Sequence, residues 1–474
     1  MTQYLFHIHP EDSVAVALAD CPAGLAVAIC GRTITLRQSV ARGHKCALVD
    51  HQPGDVVRKY GQPIGAASAP IAAGDWVHSH NLATRLATDQ AVKWTPDSAP
   101  AITIAPATPH ADNGAADSVD GVAAPATGHA AGPTWLGYDR GDGTAGTRNE
   151  IWIFPTVGCV ARTAQRIAQM ASALYCPANG GVGGGADAGA HGGAGTGAGA
   201  AHGGAGAGAG TDGGAAQIDG IHAFTHPHGC SQLSEDLDGT RAILASLAAH
   251  PNAGGVVIIG LGCESNQMAA LLAAVPPAAH ARIRTVIAQD LADEVQAGMA
   301  AVAELVALAG QHRRTPLPLS RLTIGLKCGG SDGFSGLTAN PLLGRLSETI
   351  VSAGGRAILT EIPEIFGAEQ LLLQRAQTRQ TFDDGMELIA DFKEYFRKNG
   401  EPVSENPSPG NIAGGITTLE EKSLGAVQKA GRCPITAVAR YGGRAGDAGV
   451  TLLEAPGNDA VSSTALAAAG ATII

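Results

Sequence analysis

The 474-residue chain is poor in charge, has no basic excess and has no long apolar run. Charged residues are 15% of the total and the formal net charge is −11. That balance argues against general nucleic-acid binding, so any anionic substrate must meet a local basic site. No stretch stays apolar over the roughly 20 residues that a membrane span needs. The start, MTQYLFHIHPEDSV, has no basic stretch ahead of an apolar core, so a secretory signal is not expected there. Nine cysteines without dense spacing fit a reducing cytosol better than a disulfide scaffold. Nucleotide signatures are missing too. In IGLKCGGSDGFSG (324–336) Lys327 precedes the glycines, whereas a phosphate loop puts its lysine after them. No G-x-G-x-x-G stands between a strand and a helix with an acidic partner downstream.

What is present reads as several domains, with 45% hydrophobic residues to build their cores. Residues 1–95 carry short apolar runs (SVAVAL, GLAVAI, KCALVD) between Gly, Pro and Asp turns, which predicts a small β-rich unit. Residues 96–132 have the composition of a flexible linker. From about 133 the texture changes to strand–helix alternation: IWIFPTVG then TAQRIAQMASAL, IDGIHAFTH then DGTRAILASLAAH, GGVVIIG then SNQMAALLAAV. RLTIGL and GGRAILTE follow. This pattern predicts α/β units with largely parallel sheets, over 133–316 and 317–474. The Gly/Ala tract 179–214 cannot bury a core and is expected to be a disordered insertion, with His191 and His202 as bystanders.

Four cysteines share one setting. Cys159, Cys230, Cys263 and Cys328 each follow a strand-like run, next to glycine. Open α/β sheets bind ligands outside the carboxyl ends of their strands, so the four are expected to face one crevice. Singly, each also suits a tight turn as a small residue. Cys21, Cys30, Cys46, Cys176 and Cys433 read as structural. His226 and His228 precede Cys230, and imidazole with thiolate suits iron or zinc. Glu264 follows Cys263 and could ligate or cap a helix. Glu361 and Glu364 follow another strand-like run, where a carboxylate could be a base, a metal ligand or a helix-start residue.

The polar loops offer further candidates. His44, Lys45, His78, His80 and Asn81, with His9 and Asp12, suit anion, hydroxyl or metal recognition, or ordinary turns. Arg148 and Asn149 could hold a carboxylate through a fork of donors. Asn411 and Asn458 lie in Gly/Pro-rich loops, and amides suit a polyol's hydroxyls. Ser331 and Asp332 belong to the IGLKCGGSDGFSG stretch.

Together LRQSVARGHKCAL, KYGQPIG, HSHN, GTRNEIWIFPTVGCV, GCSQL, IGLGCESNQ, GLKCGGSDGFSGLTANPLLGR, LTEIPEIFGAEQLL, ENPSPGNIAGGITTLEEKSLGAVQKAG and APGNDAV resemble the altronate/galactarate dehydratase family, its altronate branch most closely. The matching stretches run from end to end. The resemblance implies a small SAF-type β-clip domain ahead of Rossmann-like α/β domains. It implies a cytosolic hydro-lyase turning D-altronate into 2-dehydro-3-deoxy-D-gluconate, with galactarate or another sugar acid as alternative substrate. It implies iron(II), or manganese, with a [4Fe–4S] cluster as the alternative. A sugar-acid-binding protein without activity is the second alternative. The partner is a small sugar acid, with neither nucleic acid nor membrane, and a homo-oligomer is compatible. Family members carry a further strand, loop and tail beyond the AAGATII that ends this sequence, so the second α/β domain is expected to be short. On this reading His226, Cys230, Cys263, Glu264 and Cys328 are the metal candidates. Lys327 or Glu361 is the base and His44 or His80 the acid. Lys45, Asn81, Arg148, Asn149, Ser331, Asp332, Asn411 and Asn458 are the substrate contacts.

Overall fold

The computed structural model describes residues 3–86, 92–94, 104, 132–176 and 218–474. The expected Gly/Ala insertion with its two histidines, and nearly all of the expected linker, lie outside the described residues.

The N-terminal unit is antiparallel. One sheet joins Leu5–Phe6, Val14–Ala17, Lys45–Ala47 and Trp76–Val77, and another joins Val56–Lys59, Gln62–Ala67 and Leu82–Ala83. Ala26–Ile29 and Arg32–Thr35 form a hairpin. Short strands broken by Gly and Asp turns leave each strand only a few inward positions. The unit therefore needs a partner to complete its core.

Two parallel four-stranded sheets follow. The first has the order Gly220–Ala223, Glu150–Pro155, Ala253–Gly260, Ile283–Ile287. Ala253–Gly260 is buried along its whole length, as a strand covered on both faces must be. Alternation sorts its neighbour's side chains. Ile151 and Ile153 pack with the helices Ala161–Tyr175 and Glu294–Ala309, while Trp152 and Phe154 pack on the other face with Ser234–Ala248. The second sheet has the order Thr323–Leu326, Arg356–Leu359, Gly449–Leu453, Ile435–Ala439. The predicted strand–helix alternation thus yields the predicted parallel sheets. No helix among the described residues is long and apolar enough to cross a membrane.

One feature of the core decides where chemistry can occur. Val14, Val57, Ile64 and Val77 of the N-terminal unit share a single cluster with Ile324, Leu326, Leu359 and Phe366 of the second α/β unit. The β-rich unit is thereby fixed on the last domain, across the intervening one. Polar links reinforce the seam. Thr84 and the Arg85 amide hydrogen-bond to Glu420, and Thr418 donates to the Ile64 carbonyl.

Candidate functional site

At the carboxyl end of Thr323–Leu326 the chain turns through Lys327 and Cys328. At the end of the adjacent strand, Arg356–Leu359, it turns through Glu361 and Glu364. Parallel pairing sets these two exits side by side. The Cys328 thiol and the two carboxylates are buried, and one ligand atom from each lies within 4.8 Å of the others. Glu361 adopts a left-handed backbone at φ 66°, which costs a non-glycine residue about 1 kcal/mol or more. Its carboxylate turns back onto the strand ends. It accepts from the Cys328 amide at 2.5 Å and from the Ser462 hydroxyl at 3.1 Å.

Two lysines flank Glu364 without satisfying both of its oxygens. Lys422 Nζ lies 2.8 Å from Glu364 Oε1, and Lys429 Nζ lies 3.8 Å from Oε2. Oε2 is buried with no hydrogen-bond donor among the described residues. Burial, then the Glu364 charge, pushes the Glu361 carboxyl up from its ordinary range. The same two causes push up the Cys328 thiol. A divalent cation would reverse both effects and complete the coordination of Oε2. One thiolate and two carboxylates form a donor set that suits such an ion. Cys328, Glu361 and Glu364 could therefore hold a metal ion.

Several predicted residues meet around this group. Lys327 Nζ lies 4.0 Å from Glu361 Oε1 and forms an ion pair with Asp459. Ser331 Oγ lies 2.8 Å from Cys328 Sγ. Asn411 donates to the Ser331 carbonyl, and its Oδ1 accepts from Lys422 at 3.0 Å. The N-terminal unit roofs this loop. A Cβ on Gly333 would lie 1.9 Å from the Gly43 carbonyl, so only glycine permits that approach. His44 Nε2 donates to the Ala413 carbonyl while Nδ1 accepts from Trp76 Nε1. Both ring nitrogens of His44 are therefore engaged with protein. His78 reaches the Ile412 carbonyl, and exposed His80 packs its ring 5.0 Å from Trp76.

Other predicted residues lie elsewhere. Lys45 is fully buried, donating to Glu421 and the Gly415 carbonyl. Lys59 takes the other oxygen of Glu421. That triad pins the two domains together, and Lys45 offers nothing to a substrate. Asn81 closes its own turn through His78 N and Trp76 O. Asn458 caps the helix Asp459–Ala468. Asp332 folds its loop, accepting from the Phe334 and Ser335 amides. Arg148 and Asn149 precede Glu150–Pro155, so they stand at the amino end of the first sheet, away from the strand exits. Asn149 is buried among Arg140 and the Ala309 carbonyl, and Arg148 pairs with Glu150.

The remaining metal candidates gather at the carboxyl end of the first sheet. The Gly158 amide bonds to His228 O, and the Ser265 amide bonds to Cys230 O, so these loops do converge. Their ligand atoms, however, form no compact group among the described residues. Cys159, Cys230 and Cys263 are exposed. The Glu264 carboxylate is consumed by the Thr156 hydroxyl and the Leu261 and Gly262 amides. His226 Nε2 donates to the Pro155 carbonyl, which leaves Nδ1 buried and without a partner among the described residues. Sequence reasoning left Lys422, Lys429, Ser462 and Glu364 out of the site and kept Glu361 only as a base candidate. The four-residue EIPE spacing (361–364) was the available signal for Glu364. The lysines gave none, because they come from a helix about 60 residues downstream.

Comparison with known proteins gives a consistent result along the chain. Residues 3–85 match the altronate/galactarate dehydratase SAF domain. Residues 137–310 match the D-galactarate dehydratase/altronate hydrolase second domain. Residues 319–474 match the D-galactarate/altronate dehydratase C-terminal domain. The altronate dehydratase of Escherichia coli (strain K12) is 42% identical over 472 residues, covering 100% of this chain and 83% of that protein. The altronate dehydratase of Bacillus subtilis (strain 168) is 40% identical over 467 residues, 98% of this chain and 82% of the relative. The galactarate dehydratase (L-threo-forming) of E. coli K12 is 30% identical over 489 residues, 100% of this chain and 81% of the relative.

Proposed function

The chain belongs to the altronate/galactarate dehydratase family, and we propose that it is a cytosolic altronate dehydratase, converting D-altronate to 2-dehydro-3-deoxy-D-gluconate and water. The observation that carries the choice of substrate is the identity: about 40% to two altronate dehydratases against 30% to the galactarate enzyme, over nearly the whole chain in each case. The buried Cys328–Glu361–Glu364 group supports the chemistry.

The reaction removes a weakly acidic proton from C2 beside a carboxylate and expels the C3 hydroxyl. Held by Cys328, Glu361 and Glu364, iron(II) or manganese would supply Lewis-acid stabilisation for the negative charge that develops next to C2. The chain's own groups do the rest. Lys327, at the lip of the group and 4.0 Å from Glu361, takes the C2 proton as a neutral amine, and the ion pair with Asp459 is the protonated form that results. Ser331 orients a polyol hydroxyl, and Asn411, braced by Lys422 and Ser408, positions it by donating to the Ser331 carbonyl. His80, the exposed imidazole of the roof, donates the proton that leaves with the C3 hydroxyl. His44 positions the roof, because its nitrogens are already bonded to protein.

The deciding assay incubates the protein with iron(II) and D-altronate or galactarate and follows 2-keto acid formation. Turnover of altronate well above galactarate is expected, and the reverse ratio overturns the substrate assignment. Lys327→Met should lower kcat about 100-fold with metal content unchanged. Undiminished turnover would remove Lys327 from the mechanism.

A further inference from the structure

A second cleft lies at the opposite end of the second parallel sheet. It holds about 330 Å³ between the two α/β units. Arg321, Arg356 and Arg444 line it against a single acid, Asp447. Arg321 is already paired with Asp139 at 2.8 Å, so Arg356 and Arg444 against Asp447 leave a local formal +1 on a chain of net −11. Arg356 opens the strand whose far end leads to Glu361, so about 13 Å of strand separates the cleft from the thiol and carboxylates.

The bland account is that arginines stabilise helix carboxyl ends. Arg282, just behind the cleft, does donate to Ala249 O, and Arg444 makes a long 3.5 Å bond to Ser246 O. Both acceptors terminate the helix Ser234–Ala248. Arg321 is spent on Asp139 and the Thr144 carbonyl, but this account leaves donors of Arg356 and Arg444 unused. Arg282 lies 3.9 Å from Asp142, and its Nε is buried without a hydrogen-bond partner among the described residues. Arg356 gives only Nε, to Gly446 O at 3.1 Å. Beyond these bonds the guanidinium N–H groups of Arg356 and Arg444 meet no acceptor among the described residues. Guanidinium forks match the paired oxygens of phosphate and carboxylate, and the lining offers no aromatic side chain on which a nucleotide base could stack.

We propose that this cleft binds a small dianion of the phosphate or dicarboxylate class across the seam between the two α/β domains. Such a ligand bonds to both domains in the folded chain only, so it raises stability by mass action.

The test is thermal unfolding of the full chain, titrated at constant ionic strength with inorganic phosphate or malonate, and with chloride and acetate as monoanion controls. A saturable rise in Tm is expected with a dianion and not with the controls. Whichever dianion acts at lower concentration fixes the source. Arg356→Met should abolish the rise, and Asp447→Asn should tighten binding about threefold by removing the competing carboxylate. Repeating the titration on Glu364→Gln excludes anion binding at the thiol–carboxylate group, because the rise should persist there. Equal rises with all four anions, or a full rise in Arg356→Met, overturn the proposal. If Arg356→Met fails to fold by circular dichroism, an unchanged dianion affinity in Asp447→Asn overturns it instead.

Discussion

The two parallel sheets end alike in sequence and unlike in space. The first delivers three cysteines and the second delivers one into glycine-flanked turns at the carboxyl edge. At the first sheet Cys159, Cys230 and Cys263 are open to solvent, and the one nearby buried carboxylate, Glu264, is used up in holding its own loop. At the second, Cys328 is 8% exposed and faces two carboxylates and two lysines. The difference comes from the cover. The N-terminal unit shares its core with the second sheet and lies over its exits. Excluding water there lowers the local dielectric, so each charge acts more strongly on its neighbours. A strand-end cysteine becomes a site only where another domain encloses it.

Removing a central group of the enclosed edge should have the largest effect. Glu364→Gln deletes the carboxylate with the unpartnered oxygen, and turnover should fall about 1000-fold, matching the several kcal/mol expected of a bound metal. Metal content by elemental analysis should fall with it. Retained metal and activity would show that the two edges are chemically equivalent. The cover itself is tested next. Glu421 lies between Lys45 and Lys59, and their charges hold its carboxyl far below the usual range. Glu421→Gln leaves two buried ammonium groups without a counter-charge and should cost about 3–5 kcal/mol in denaturant unfolding. Lys45→Met leaves a neutral Lys59–Glu421 pair, so it should cost much less. Equal costs would break the account of the triad as a clamp.

The sequence showed the elements more clearly than their meeting. Alternation in EIWIFP and continuous burial in AGGVVIIG are local signals, and the strands formed as expected. The strand-end position of the four cysteines was also legible. Their division between two sheets was not, because strand order is set by pairing between distant segments. Lys45 looked like a substrate contact because its partner Glu421 is 376 residues away. Arg148 and Asn149 could have been read correctly. They precede their strand, and residues before a parallel strand cannot reach its carboxyl edge.

A smaller effect probes the seam between the two α/β units. His250 donates to Ala471 O and accepts from the Asn252 amide. Burial first, against the helping carbonyl bond, brings its pKa down to about 4 from 6.5. The unfolded chain therefore binds more protons between these values, so stability falls as pH drops from 6.5 toward 4. Between pH 7 and pH 5 the loss assigned to this group is about 2 kcal/mol. Urea unfolding at both pH values should show it, and His250→Gln should remove that share of the difference. An unchanged pH dependence in the variant would place the acid sensitivity elsewhere.

The smallest expected effect is the most direct comparison of the two edges. Cys230→Ser and Cys263→Ser replace exposed thiols that approach no compact ligand group, so kcat should change less than about threefold. Cys328→Ser replaces a buried thiol beside two carboxylates with a far weaker ligand, and should lower both metal content and kcat. A cluster held by all the strand-end cysteines predicts otherwise, since each serine would then cost about the same. It also predicts visible absorption and acid-labile sulfide in anaerobically purified protein. If Cys230→Ser and Cys263→Ser lose activity as Cys328→Ser does, the two edges close on one centre in the working enzyme. If only Cys328→Ser does, enclosure by the N-terminal domain is what separates a functional thiol from a turn residue.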